Sequence, residues 1–476
     1  MRARDRSLAL AALCALFAAP RIGGVCTEFW LDEVWALDIV SRISSPLDVF
    51  TRVHFDTNHW LYSLWLYAVA PRDGFVLYRL PALVAGLAAL PLGIAIARRD
   101  GDERAAGFAL ALLGGSFLLI EYSSEARGYA LAVAFALGAF LAELRMRESL
   151  TPSGLLALNA GCVLGLLSHL TFLFPWAGLL AWSAARLDPR RTFACHALPL
   201  AVFAALYWLD IRHIQHGAGP EAGLWTVLGQ LAALVLGFSQ GALFGAIAAA
   251  VCTAVAAAGI FTLRADGSRI WVFFAVTLFA APAVVVAVRA PDFPYWTERH
   301  FLVCVPFLLL LAASLLARAS RRGRAGAALA AALLALYLAG NALHTADFLR
   351  LGRGHYAEAV AYMLERDPEP ELTVGSDHDF RNSMLLAFHA RALPAGRSLA
   401  YLAKDAWPAD GPRWLIVHSL AQDYAPAPSY VWAGRVEYEL ARHFPYAGVS
   451  GWHWALYRRS AVAGGVSPGR GAPGTP

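Results

Sequence analysis

Lysine is almost missing from this chain. Of the 39 basic side chains among its 476 residues, one is a lysine, Lys404, and the rest are arginines. Charge of either sign is scarce. Asp, Glu, Lys and Arg make up 15% of the residues, against roughly 25% in soluble domains. The net charge of +5 does not mark a nucleic-acid binder. The arginines sit in short clusters between apolar runs, and no extended basic face forms. The six cysteines lie in or beside apolar segments, with no C-x-x-C and no even spacing. That excludes a disulfide scaffold and a zinc site. No repeat of fixed period is visible.

What the chain has in excess is apolar surface, at 58% hydrophobic residues. A membrane-spanning helix needs about 20 mostly apolar residues. The candidates are 7–24, 78–97, 105–121, 127–144, 154–170, 171–186, 194–210, 241–263, 270–288, 300–317 and 325–343. The start, MRARDRSLALAALCALFAAP, has the form of a signal peptide. Its apolar character resumes through residues 22–31, so an uncleaved first helix is expected. Arginines cluster in alternate loops: Arg98/Arg99/Arg104, Arg145/Arg147, Arg186/Arg190/Arg191, Arg264/Arg269 and Arg318/Arg321/Arg322/Arg324. With Arg2, Arg4 and Arg6 they place the N-terminus in the cytoplasm. About eleven spans then put the C-terminal region outside. Residues 58–70, NHWLYSLWLYAVA, are too short to cross. Their Trp and Tyr residues suit a helix lying on the outer surface. Residues 224–238 read as similar, or as partly re-entrant.

The last part of the chain changes character. HYAEAVAYMLERD (355–367) has helical spacing. ELTVGS (371–376) and RWLIVHSL (413–420) read as strands around the helical NSMLLAFHARAL. VEYELARHF and GWHWALYRR suit a closing hairpin. The reading is a polytopic helical membrane domain, 1–345, whose outer loop 25–77 carries the acids. A small extracytoplasmic α/β domain, 346–460, follows, and then a flexible tail, 461–476, rich in Gly and Pro.

Four outer segments carry the polarity. FWLDEVWAL (29–37) holds Asp32 and Glu33 between tryptophans that would anchor the chain at the interface. Asp32 can cap a helix starting at Val34, with Glu33 favouring its first turn. Either acid can equally serve as a general base or anchor a metal at the water–lipid boundary. HFDTNHW (54–60) gathers Asp56, Asn58 and His59, in a capping loop or a set for sugar hydroxyls or a divalent ion. In EYSSEARGY (121–129), Arg127 can pair with Glu121 or Glu125, or bind a phosphate bidentately. YWTERHF (295–301) brings Glu298, Arg299 and His300 to the mouth of a late span.

These residues resemble the GT-C superfamily of membrane glycosyltransferases. The likeness is to its family 39-like branch of protein O-mannosyltransferases and the lipid A aminoarabinose transferase. The acidic pair follows the first span. Asp56-Thr57-Asn58-His59 matches a D-x-x-H-P-like segment, with Trp60 where the family often has proline. Glu125-Ala126-Arg127-Gly128-Tyr129 looks like the E-A-R-G-Y of many bacterial members, and Arg299 precedes VPFLLLLAA. The resemblance covers about residues 1–345. It implies transfer of a sugar from a polyprenyl-phosphate carrier to a glycan, lipid or protein acceptor, outside a bacterial-type cytoplasmic membrane. On that reading Asp32 is the base or acceptor-orienting acid, supported by Glu33. Arg127 and Arg299 hold the carrier phosphate. Asp56, Asn58, His59, Glu125, Tyr129 and Glu298 shape the donor and acceptor sites. No cofactor is implied with certainty; a divalent cation remains open, with its ligands unknown. A flippase or transporter of lipid-linked sugars, or a polymerase or ligase, is the alternative. A transporter should place ionisable groups near the bilayer midplane, whereas here they crowd the outer boundary.

Overall fold

In the computed structural model, the described residues are 3–70, 74–100, 103–217, 221–289, 293, 295–421, 423–432, 436–446 and 449–460. The tail read as flexible, 461–476, lies outside them. The chain divides into two compact units. The first comprises Met1–Gly352 with Ala447–Val449, and the second Arg353–Tyr446 with Ser450–Pro476.

The first unit is helical. It begins with α1 (Ala3–Val25), α2 (Leu31–Ser41), α3 (Asp48–Thr51), α4 (Trp60–Val69) and α5 (Phe75–Asp100). There follow α6 (Glu103–Gly115), α7 (Phe117–Tyr122), α8 (Tyr129–Arg145), α9 (Pro152–Ser168), α10 (Leu173–Arg186) and α11 (Pro189–Leu209). Then come α12 (Leu224–Leu236), α13 (Ala242–Ala265), α14 (Trp271–Ala275) and α15 (Ala281–Arg289). The five residues Val276–Ala280 between the last two form a π-helical turn. A 3₁₀ segment, Glu298–Cys304, leads into α16 (Val305–Ser320), and α17 (Gly323–Leu351) ends the unit.

Local chemistry sets these boundaries. Ser116 breaks the apolar run between α6 and α7, its Oγ accepting from the Leu119 N–H at 3.5 Å. Thr151 and Asp188 cap α9 and α11, each followed by proline at the first helical position. Gly237, at φ 75°, closes α12 in the left-handed region. Inside, Phe140 stacks on Phe273 with centroids 4.2 Å apart, and Phe307 meets both edge-on. Outside, large apolar residues face away from the core: Trp225 is 83% exposed, Leu156 73% and Leu343 70%. Such a surface fits lipid rather than water. The protein is an integral membrane protein.

By length and composition, six helical stretches among the described residues can cross a membrane. They are Phe75–Arg98, Pro189–His213, Ala242–Ala265, Trp271–Arg289, Glu298–Ser320 and Gly323–Arg366. The expected count was about eleven. The other five segments fall on shorter or interrupted helices. These are the apolar stretch Ala12–Val25, the broken pair α6–α7, the 17-residue α8 and α9, and the 14-residue α10.

The second unit contains α18 (Tyr356–Arg366), β1 (Glu371–Ser376), α19 (Asp379–His389), β2 (Ser398–Tyr401), β3 (Trp414–Ser419), β4 (Ser429–Trp432), β5 (Val436–Phe444) and β6 (His453–Arg459). The sheet order is β2-β1-β3-β6-β5-β4. The first three strands are parallel and the rest antiparallel, with β5 and β6 paired as the sequence suggests. Trp414 fixes β3 in the core. It is fully buried, and its indole N–H donates to Asp367 at 3.1 Å. The strands not foreseen, β2 and β4, have four residues each, too few for a periodic signal.

Candidate active site

The site starts at the first turn of α2. The helix begins at Leu31 rather than Val34, so Asp32 lies inside it and does not cap it. The residue that turns back to the start is Glu33, whose Oε2 accepts from the Trp30 N–H at 3.3 Å. Glu33 is fully buried and saturated. Arg79, on α5, donates Nε to Oε1 at 2.8 Å and Nη2 to Oε2 at 2.6 Å. The Ala126 N–H adds a further bond to Oε1 at 2.6 Å. Arg79 also donates to the carbonyls of Val25 and Glu28 and lies over the Phe29 ring. Glu33 and Arg79 therefore join the end of α1, α2, α5 and the loop after α7.

Asp32 has different company. Its Oδ2 accepts from Arg299 Nη1 at 2.7 Å and also from Arg127 Nη1. Two guanidiniums on one carboxylate leave one positive charge in excess. Arg127 is almost sealed, at 4% side-chain exposure, whereas Arg299 keeps 27% and Asp32 13%. Arg127 thus pairs with Asp32, and not with Glu121 or Glu125 in an ion pair as one reading of the sequence had it. Arg299 lies against Trp30. Trp30 is 7% exposed and packs inside the protein.

Gly128 and His59 aim Arg127. The Gly128 N–H donates to His59 Nδ1 at 2.7 Å. A neutral His59 therefore carries its proton on Nε2, which faces Arg127 Nη2 at 3.3 Å, donor against donor. Burial, and then Arg127, push the His59 pKa well below its ordinary value, so the ring stays neutral. A side chain at position 128 would overlap the Ser168 carbonyl and crowd His59. Only glycine lets this loop dock on the end of α9. Tyr129 lies under the Arg127 guanidinium. His169 stacks beside Tyr129 and His59, with centroids 4.4 and 4.6 Å away.

The loop 54–60 is held by Asp210, fully buried at the end of α11. Asp210 accepts from His54 Nδ1 and Trp60 Nε1, both at 2.6 Å, and from Asn58 at 3.3 Å. Asn58 also donates to the Val49 and Val53 carbonyls and accepts from Ser63. Its amide is used up in shaping the loop. Asp56 accepts from the Gly217 N–H at 3.2 Å and is about one-third exposed. Burial raises its pKa, and Arg127 and Arg299 work against that rise. Asp56 thus shares the field of the two arginines without joining them. Glu125 is buried, and its carbonyl accepts from the Arg127 N–H at 2.8 Å. Glu298 opens the 3₁₀ segment, half-buried, and has no hydrogen bond to the Asp32 cluster.

The structure therefore brings together Asp32, Arg127, Arg299, His59 and Tyr129, with Glu33 behind them and Asp56 at the edge. Arg79, His169 and Asp210 were missed. Arg79 stands near the start of an apolar run and His169 and Asp210 at the ends of others, and no local pattern marks them. Among the described residues no group of three or more His, Cys, Asp and Glu side chains gathers in a form that could hold a metal.

A helical membrane unit of this kind, with a carboxylate between two arginines and a mixed sheet unit after it, has the GT-C type of fold. The chain is similar to the structure of ArnT from Cupriavidus metallidurans in the apo state. They share 13% identity over 96% of this chain and 98% of that one, with a TM-score of 0.54. The same protein bound to undecaprenyl phosphate matches at 13% identity over 98% and 100%, with a TM-score of 0.43. The apo oligosaccharyltransferase of Archaeoglobus fulgidus matches at 10% over 82% and 64%, with a TM-score of 0.45. One sequence family, the branched-chain amino acid transport protein (AzlD), matches residues 160–258, a segment without Asp32, Arg127 or Arg299. No curated protein matches the sequence.

Proposed function

We propose that this chain is a glycosyltransferase that moves a sugar from a polyprenyl-phosphate donor to an acceptor on the outer face of a bacterial-type cytoplasmic membrane. About eleven helices cross it, with the N-terminus inside and the C-terminal unit outside. The observation that carries the reading is Asp32 shared by Arg127 and Arg299. The GT-C type of fold and the E-A-R-G-Y sequence around Arg127 support it.

A carboxylate facing two guanidiniums is a poor base, because both cations stabilise its ionised form. A phosphate competes for the same donors, since guanidinium pairs phosphate and carboxylate alike. When the donor phosphate takes the arginines, Asp32 is released and regains basicity. It then accepts the proton of the acceptor hydroxyl. The hydroxyl oxygen attacks the anomeric carbon, and the carbon–phosphate oxygen bond breaks. Its electron pair leaves with the phosphate, whose charge Arg127 and Arg299 stabilise. Neutral His59 anchors the loop that carries Arg127 by accepting from the Gly128 N–H, and Asp56 lines the edge where sugar hydroxyls would lie. Glu33 acts behind Asp32 as a scaffold. The C-terminal unit serves the acceptor. A divalent cation would need several oxygen ligands, and no step here is routed through one.

The test is transfer from a panel of labelled polyprenyl-phosphate monosaccharides by purified wild-type and Asp32→Asn protein. Loss of about 10²–10⁴ in rate with donor binding retained is the expected result. Undiminished transfer by the variant would remove Asp32 from the chemistry. Wild-type protein inactive on every monosaccharide, but active on a lipid-linked oligosaccharide, would make it a polymerase or ligase.

A further inference from the structure

The C-terminal unit holds an arginine that the chemistry above does not use. Arg381 lies in the first turn of α19 and is 3% exposed. Its backbone N–H donates to His378 Nδ1 at 3.3 Å. Among the described residues its guanidinium makes no hydrogen bond or ion pair, and its Nε is sealed without a partner. It rests on the ring of Trp452, with its central carbon 4.6 Å from the centroid. A buried guanidinium without a matching anion is costly.

The position adds a second argument. Strand β1 lies between β2 and β3, both parallel to it. The chain leaves β1 through α19 to β2 on one side, then crosses back to β3 on the other. The crevice outside the carboxyl ends of such strands is where open α/β sheets bind ligands. Trp452 stands there, edge-on to His378 at 5.1 Å and His418 at 5.5 Å. The N-terminus of α19 adds partial positive charge. The two acids nearest in sequence are engaged elsewhere. Asp377 accepts from His418 Nδ1 at 2.7 Å and from its N–H at 2.8 Å, and Asp379 accepts from Tyr401 at 2.6 Å. Lys404 Nζ donates to the Asp377 carbonyl at 2.6 Å.

We propose that this crevice binds an oxyanion, a phosphate or a carboxylate of the kind a charged glycan carries, through Arg381 beside Trp452. The site is separate from the arginines around Asp32, and it stands or falls independently of the transferase reading.

The experiment uses the full-length protein in nanodiscs of zwitterionic lipid. Thermal unfolding and calorimetric titration are followed with inorganic phosphate and with glucuronate, for wild type, Arg381→Met and Arg299→Gln. The expected result is a saturable rise of the wild-type melting temperature with at least one anion. Arg381→Met should melt no lower than wild type without anion, since a buried unmatched charge is gone. Its apparent affinity should fall by at least about tenfold. Arg299→Gln should keep the part of the response that Arg381→Met loses. A response to phosphate alone or to glucuronate alone supports the site and assigns the anion class. No response in wild type, an undiminished response in Arg381→Met, or loss of the response in Arg299→Gln would each overturn the proposal. So would early melting of Arg381→Met without anion, which would make the arginine a packing element.

Discussion

Asp32 and Glu33 leave the same turn of α2 for opposite surroundings. Glu33 enters a closed pocket where two backbone N–H groups and both sides of Arg79 saturate it. Asp32 reaches a partly open edge, where two cations share one of its oxygens. Glu143, near the other end of α8, lies between the two. It is buried, and Ser183 Oγ at 2.5 Å and Arg186 Nη2 at 2.8 Å both donate to its Oε1, while its Oε2 has no partner among the described residues. The comparison teaches what separates a scaffold acid from a working one. A sealed carboxylate with a full set of donors holds elements together. A carboxylate outnumbered by cations at an open edge is set up to exchange partners.

The comparison can be broken most directly at Arg79. Arg79→Met strands Glu33 as a buried unpaired charge and should cost about 3–5 kcal/mol. Thermal unfolding in detergent measures it, and transfer should be lost through lost structure. Asp32→Asn keeps an acceptor oxygen for the arginines at a partly open edge, so it should cost less stability than Arg79→Met while transfer falls. Equal loss of stability in both would erase the distinction. Next in size is Arg299→Gln, expected to lower transfer about 10²–10³-fold. Arg127→Gln should in addition destabilise, because Arg127 is the more deeply buried of the two. Transfer kinetics beside melting curves separate the two arginines.

The smallest effect concerns a sealed group in the other unit. Burial pushes the His389 pKa down from 6.5 to about 4, and its Nε2 has no partner among the described residues. The unfolded chain then binds a proton that the folded one refuses. Stability should fall as pH drops from about 6.5 and level off below about 4, by about 3 kcal/mol in all. His389→Gln should flatten that part of the stability curve. Melting points between pH 7 and 4 for both proteins check the sign.

Much of this was legible in the residues. The helical segments follow from apolar runs, and the hairpin of β5 and β6 from alternation. The residues that meet at the site came from four distant stretches, and their grouping followed the resemblance rather than any local pattern. Which of two adjacent acids would be sealed was not legible, because Arg79 lies 46 positions from Glu33 and no periodicity links them. Asn58 looked like a sugar ligand because an amide in a polar loop carries no mark of its partners. Its use as a loop brace depends on Asp210, which is 152 positions away. Six of the eleven expected spans fall on helices long and apolar enough to cross; the other five fall on shorter or interrupted ones, because hydropathy does not register the break at Ser116, nor how short α9 and α10 are.

Gly128 has a consequence for tracing ancestry. The overlap that any side chain there would meet comes from the Ser168 backbone, so it depends on no substrate. A descendant that lost Asp32 and all activity would still need that glycine to keep the loop docked. The arginine–glycine pairing in such a chain would record the packing of a helix end, and would remain readable long after the reaction was gone.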